Sequence, residues 1–171
     1  EDSLRKRFGA RGAHPLKASF AGAVETALKE KLDEVEMVKE LPDVMILVDS
    51  LTLRVKAEIR PVFYYGRYRK LAKDVPQTRW PCRACKGRDG GCESCEGTGL
   101  QYRDSVQDLI GEPIREVLSA ADTSFHGMGR EDIDVRCLGR GRPFVVEVKK
   151  PRIRTIDVEK ILETIHSRAD G

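Results

Sequence analysis

Apolar and polar positions along the chain alternate with two periods, and each period marks different segments. Leu16, Phe20, Val24, Ala27, Leu28 and Leu32 recur at helical spacing with Lys and Glu between them, which predicts a helix with one buried face. Residues 1–15 are basic and glycine-bearing without a period, and read as a connector. The run Val44–Val48 after Asp43 reads as a buried strand. Leu51, Leu53, Val55, Ala57, Ile59, Pro61 and Phe63 then alternate with Thr52, Arg54, Lys56, Glu58 and Arg60. That period of two predicts a long half-buried strand, antiparallel to the preceding run across an Asp49–Ser50 turn.

Further along, Ser105 followed by Asp108 forms a capping box that opens a helix. Its apolar face is Val106, Leu109, Ile110, Ile114, Val117 and Leu118, and Pro113 is expected to kink or break it. After a turn at Gly127–Gly129, Ile133, Val135 and Cys137 fall on one face and Asp132, Asp134 and Arg136 on the other, which predicts a strand over 132–138. Phe144, Val146 and Val148 form another, expected to pair with it as a hairpin across Gly139–Gly141, and Val145 adds burial on the opposite face. Cys137 reads as a buried thiol. A last helix is capped near Asp157 and turns Val158, Ile161, Leu162 and Ile165 inward. Helices and strands in this order make an α+β fold.

Charge changes the picture through its distribution. The 171 residues carry 31 Lys+Arg against 28 Asp+Glu, a net charge of only +3. Yet Arg60, Arg67, Arg69, Lys70, Lys73, Arg79, Arg83 and Lys86 face a single acid, Asp74, and a second basic run extends from Arg136 to Arg154. Two basic stretches on a nearly neutral chain point to an anionic partner, with two solvated faces as the alternative. Around Phe63-Tyr64-Tyr65-Gly66-Arg67-Tyr68-Arg69-Lys70, aromatics interleave with cations. This suits base stacking with phosphate contact, or equally a strand whose tyrosines pack on a sheet. No apolar run approaches a membrane span, no signal-peptide pattern is present, and the five clustered cysteines do not read as an extracellular disulfide framework, so the chain is expected in the cytoplasm; the initial glutamate implies that a preceding piece was removed or lies outside the given sequence.

The most specific local motif is Cys82-x2-Cys85-x6-Cys92-x2-Cys95, set among Gly87, Gly90, Gly91, Gly97 and Gly99. Paired CxxC knuckles bring four thiolates around one ion, with backbone N–H groups turned to the sulfurs. Two matched pairs and a small glycine-rich loop favour a closed, structural zinc site over an iron–sulfur cluster; disulfides or free thiols are the alternative. Four thiolates leave no open position, so no catalysis is expected there. The other candidate is the stretch Gly129–Arg136 followed by Gly139-Arg140-Gly141-Arg142-Pro143-Phe144. Carboxylates among arginines on one strand face suit a reacting group or a phosphate-reading cluster, with a solvated edge strand as the alternative.

The ordered motifs Gly66–Lys70, Pro76–Trp80, Gly129–Arg136 and Gly141–Phe144 resemble the archaeal and eukaryotic Pus-ten family of tRNA pseudouridine synthases, and the CxxC pairs resemble its archaeal branch. The resemblance runs from about Asp43 to the end. It implies a partial THUMP-like RNA-binding accessory region over 1–75, a linker and four-cysteine zinc knuckle over 76–100, and the N-terminal half of a mixed-sheet catalytic domain over 101–171. It implies that Asp132 is the catalytic carboxylate, with Arg130 as its salt-bridge partner. The implied reaction isomerises a flipped-out T-loop uridine of tRNA, without redox cofactor or catalytic metal. Tyr65, Arg67, Tyr68, Arg69, Lys70, Arg79, Arg136, Arg140 and Arg142 are the candidates for contact with the tRNA T-arm. In the family the catalytic domain continues beyond the last helix here, so a C-terminal half is expected from a longer chain or a split partner. A competing reading is a zinc-containing tRNA-binding module without chemistry of its own. A third compares the CxxC pairs with zinc modules of chaperones, which leaves Gly129–Arg136 and Gly141–Phe144 unexplained.

Overall fold

The computed structural model describes residues 2–9, 15–32, 35–49 and 51–169. It divides into two compact units, Glu1–Pro42 and Asp43–Gly171. In the first unit, a short helix α1 (Asp2–Arg7) lies within what the sequence reads as a connector. Helix α2 (Leu16–Lys29) covers most of its expected span, but none of its residues is buried: Phe20, on the apolar stripe, is 44% exposed. The amphipathic pattern is therefore present, and the burial it predicts is not found among the described residues.

The second unit begins with β1 (Val44–Val48) and β2 (Val55–Ile59), paired antiparallel from Val44↔Ile59 to Val48↔Val55. The alternating run is thus shorter at its start than its pattern predicts. The Asp49 carboxylate accepts from the Leu51 and Thr52 amides at 2.9 and 3.2 Å, and Leu53 adopts a left-handed φ of 55°. This side-chain turn competes with the ladder for the same backbone; Ser50 lies outside the described residues. The run is also cut at Pro61, which lacks an N–H for pairing, and β3 (Val62–Lys70) leaves for a second sheet.

That sheet has the order β3-β5-β4, with β4 at Asp122–Gly127 and β5 at Cys137–Lys149, and both pairings are antiparallel. Helices α3 (Val106–Val117) and α4 (Val158–Arg168) contribute to the core it shares. Tyr68, Phe144, Val146 and Val148 from the strands meet Val106, Ile110, Ile114, Leu118 and Ile161. Phe125 and Phe144 stack with centroids 5.2 Å apart. Gly66 is required opposite Phe144, since a Cβ there would penetrate the ring. Ser105 caps α3 as expected, accepting from the Asp108 amide at 3.2 Å. Pro113 does not break the helix: it is fully buried within one continuous α3. Asp157 caps α4.

The expected hairpin of 132–138 with 144–148 is corrected by this topology. Residues 131–136 form a loop, with Val135 N–H turning back to the Asp132 carbonyl at 3.3 Å. Beyond it, β5 runs through Gly139 and Gly141 without reversing. Both glycines have positive φ, and a Cβ at Gly141 would strike the Tyr68 carbonyl. They accommodate the shift of register opposite Tyr68 and Lys70, where β5 continues as a strand and does not turn back. No described helix is long and apolar enough to cross a membrane.

Candidate active site and metal centre

The loop between β4 and β5 carries Arg130, Glu131 and Asp132, and polar side chains fix it from below. Glu131 is buried and accepts from the Tyr68 hydroxyl at 2.7 and 2.8 Å. Arg142 Nε forms an ion pair with the same carboxylate at 2.7 Å. Gln77 Nε2 donates to the Gly129 carbonyl at 3.0 Å and to Tyr68 Oη at 2.9 Å. Arg142 also donates to the Met128 carbonyl at 3.1 Å. Lys70, nearly fully buried, directs its ammonium at the carbonyls of Val75, Asp132 and Ile133, 3.0–3.1 Å away. An ammonium has three donors, and three carbonyls satisfy them.

The electrostatics follow from this packing. Burial drives the Tyr68 phenol well above its ordinary range, and the adjacent Glu131 carboxylate adds to the effect, although Gln77 and Arg142 oppose it. Burial disfavours the Arg142 cation, yet Glu131 more than offsets that and raises its pKa. Tyr68 is therefore a hydrogen-bond donor at any physiological pH.

Against this frame, Asp132 and Arg130 are exposed. The salt bridge expected between them is absent among the described residues. Arg130 instead lies over the Trp80 ring, 5.5 Å from its centroid, and the loop's buried ion pair is Glu131 with Arg142. Of the residues assigned to RNA contact, Tyr68, Lys70 and Arg142 point inward and support the loop. Arg79 is held by Asp108 and Glu112 at the start of α3, at 2.6 and 2.9 Å. Arg67 donates to the carbonyls of Arg140 and Gly141, both at 2.8 Å, and so ties β3 to β5. Tyr65, Arg69, Arg136 and Arg140 present exposed side chains. Glu131 and Gln77 are not among the sequence candidates. Glu131 shares the parity of Ile133, so the period of two already places it inward; for Gln77 the linker gives no signal.

The four cysteines form the second centre. Their sulfurs all lie within 4.8 Å of one another, and no disulfide joins them. Cys82 and Cys92 Sγ are 3.9 Å apart, Cys85 and Cys95 3.9 Å, and Cys92 and Cys95 3.7 Å. A tetrahedron with metal–sulfur bonds of about 2.3 Å has edges of about 3.8 Å, so the thiols fit a tetrahedral ion. The amides of Cys92 and Gly99 point at Cys95 Sγ, 3.1 and 3.2 Å away. Burial pushes the Cys95 thiol up, but these amides outweigh it and bring it down to about 6. Amides of Cys85 and Ala84 likewise lower the Cys82 thiol. At the base, Pro81 bridges Leu100 and the Cys82 amide donates to the Gly99 carbonyl at 2.7 Å.

Comparison with known proteins agrees with the motif order. A family model described as "Pus10, C-terminal" matches residues 63–170. The chain is 52% identical over 133 residues to a tRNA pseudouridine synthase Pus10 of Methanothermobacter marburgensis, covering 77% of this chain and 33% of that protein. It is 52% identical over 128 residues to the protein of that name from Methanocaldococcus jannaschii, covering 75% of this chain and 28% of that one. To its namesake from Korarchaeum cryptofilum it is 39% identical over 171 residues, 100% of this chain and 45% of that one. The chain thus spans less than half the length of these relatives.

Proposed function

We propose that this chain, which belongs to the Pus10 C-terminal family, forms the part of a tRNA pseudouridine synthase that presents the reacting carboxylate, Asp132. The observation that supports this is the construction of its loop. Polar side chains from β3, β5 and the linker fasten residues 128, 129, 131, 132 and 133, while the Asp132 side chain is left exposed. Fixing a backbone on both sides of one free carboxylate preorganises that group for an incoming substrate.

The substrate is a T-loop uridine of tRNA, swung out of its stack to reach Asp132. In the reaction the bond from ribose C1′ to uracil N1 breaks, the base turns, and C5 bonds to C1′. The proton on C5 leaves and N1 ends protonated, so the product is an isomer and no external oxidant or reductant enters. Asp132 acts at the ribose or the base as the glycosidic bond opens, and Arg130 beside it supplies positive charge for the phosphates. Tyr65, Arg69, Arg136 and Arg140 supply stacking and phosphate contact around the loop. Cys82, Cys85, Cys92 and Cys95 hold zinc, whose closed shell of four sulfurs gives it a structural and not a catalytic role.

In a protein that includes the whole catalytic domain, Asp132→Ala should abolish pseudouridine formation on tRNA transcripts while tRNA affinity stays within a few-fold. Unchanged turnover would reject the assignment. A second reading, a tRNA-binding module without chemistry, draws on the exposed cations of β3 and β5. It requires that the complete domain bind tRNA and form no pseudouridine at all.

A further inference from the structure

Trp80 stands where the linker, the knuckle and the loop meet. Its carbonyl accepts from the Gln101 amide at 2.9 Å, one residue beyond the Pro81–Leu100 bridge that closes the knuckle. Tyr102 meets the indole edge-on, with centroids 5.6 Å apart and planes at 76°. On the loop side, the guanidinium of Arg130 lies over the same ring. The indole N–H is buried without an acceptor, so packing against Tyr102 and Arg130, not a hydrogen bond of its own, holds the ring. Three residues earlier, Gln77 is hydrogen-bonded to the Gly129 carbonyl. The linker thus holds the loop at two successive residues, Gly129 and Arg130. Among the described residues Arg130 has no ion-pair partner, and the Trp80 face is the one contact that orients its charge.

We propose that Trp80 is a positioning residue that transmits closure of the four-cysteine knuckle to Arg130, the neighbour but one of Asp132. When the knuckle opens, the ends at Pro81 and Leu100 part, Tyr102 leaves the indole edge, and the ring no longer offers its face to the guanidinium. Cation–π attraction depends on the cation standing over the ring, so a rotated indole releases Arg130. The coupling itself needs no RNA; its consequence for tRNA rests on the function proposed above.

Trp80 is the only tryptophan of the chain, so its emission reports this contact directly. The chain and its Arg130→Gln variant are compared loaded with zinc and again after chelation. With zinc, the substitution should change Trp80 emission. After chelation, emission should shift to longer wavelength and the substitution should make no further difference. The Cys82→Ser/Cys92→Ser double variant should reproduce the chelated pattern. An equal effect of Arg130→Gln in both states, or none in the loaded state, would overturn the coupling.

A second arm uses labelled tRNA and the zinc-loaded protein. Arg130→Gln should weaken binding roughly fivefold, the size of one surface charge contact, and should weaken it no further in a Trp80→Leu background that retains its zinc. Equal losses in both backgrounds would overturn the proposal. Intact emission coupling without any tRNA effect would count against the RNA reading of the loop and leave the coupling standing.

Discussion

Glu131 is an acid placed between two exposed, charged neighbours, and its burial makes it the residue on which the loop depends. Truncation to alanine would leave the Arg142 cation half-buried without its partner and the Tyr68 hydroxyl short of an acceptor. Breaking a buried pair by removing one member costs about 3–5 kcal/mol, and thermal or urea unfolding of Glu131→Ala should show a loss approaching that range. Glu131→Gln keeps an acceptor for Tyr68 and should lose less. If both substitutions were neutral, the loop would not be anchored here. This residue also marks what can be read in advance. The cysteine spacing needs only sequence, because four thiols around one ion constrain the chain locally. The inward parity of Glu131 is visible, but its meaning is not: alternation reads as a strand, whereas Tyr68, Lys70 and Arg142 converge from distant positions to hold an irregular loop. The same convergence explains why three residues that look like RNA contacts turn inward.

Among the elements, α3 is the most legible, since its cap, its periodicity and its apolar face all lie within one segment. Pro113 does not break α3, because a helix interior tolerates it when tertiary packing compensates, and it is fully buried. The strand breaks at Asp49–Leu53 and Pro61 are hidden by apolar alternation that runs across them. Leu118, with no exposed surface, closes the C-terminal end of α3 against the core. Leu118→Ala should cost about 2–5 kcal/mol in unfolding free energy; a loss under about 1 kcal/mol would show the core to be misassigned. Helices α3 and α4 are further strapped by Arg168 on Glu116, at 2.5 Å. The hydrogen bond from Arg168 is the main cause that holds the Glu116 carboxyl below its ordinary value. A depressed acid stabilises the fold while it is ionised, so this contribution is present above the ordinary carboxylate range and disappears as pH falls through the lowered value. Both groups are exposed, which keeps the effect small. Arg168→Gln should therefore lower the melting temperature slightly near neutral pH, and the difference should vanish in acid; a difference independent of pH would refute the strap.

At the scale of the whole molecule, charge and aromatic surface make separable predictions for the tRNA contact proposed above. Arg69, Arg136 and Arg140 are exposed and carry no carbonyl or carboxylate partner among the described residues, whereas Arg67 is spent on the carbonyls of β5. A cation on a phosphate releases counterions, so each such contact contributes roughly one unit to the slope of log affinity against log salt. Replacing Arg136 or Arg140 by glutamine should weaken tRNA binding at low salt and flatten that slope by about one. Tyr65, 68% exposed on β3, works differently. Stacking on a base is worth about 1–3 kcal/mol and releases no counterion, so Tyr65→Ala should weaken binding by the same factor at every salt concentration and leave the slope unchanged. Arg79, committed to Asp108 and Glu112, should alter neither, because its charge is already neutralised at α3. The three outcomes together locate the tRNA: a flattened slope for Arg136 and Arg140 with an unchanged one for Tyr65 lays the nucleic acid across the exposed face of β3, the start of β5 and the loop before it. A slope that responds to Arg79 and ignores Arg136 and Arg140 would move it to the α3 end.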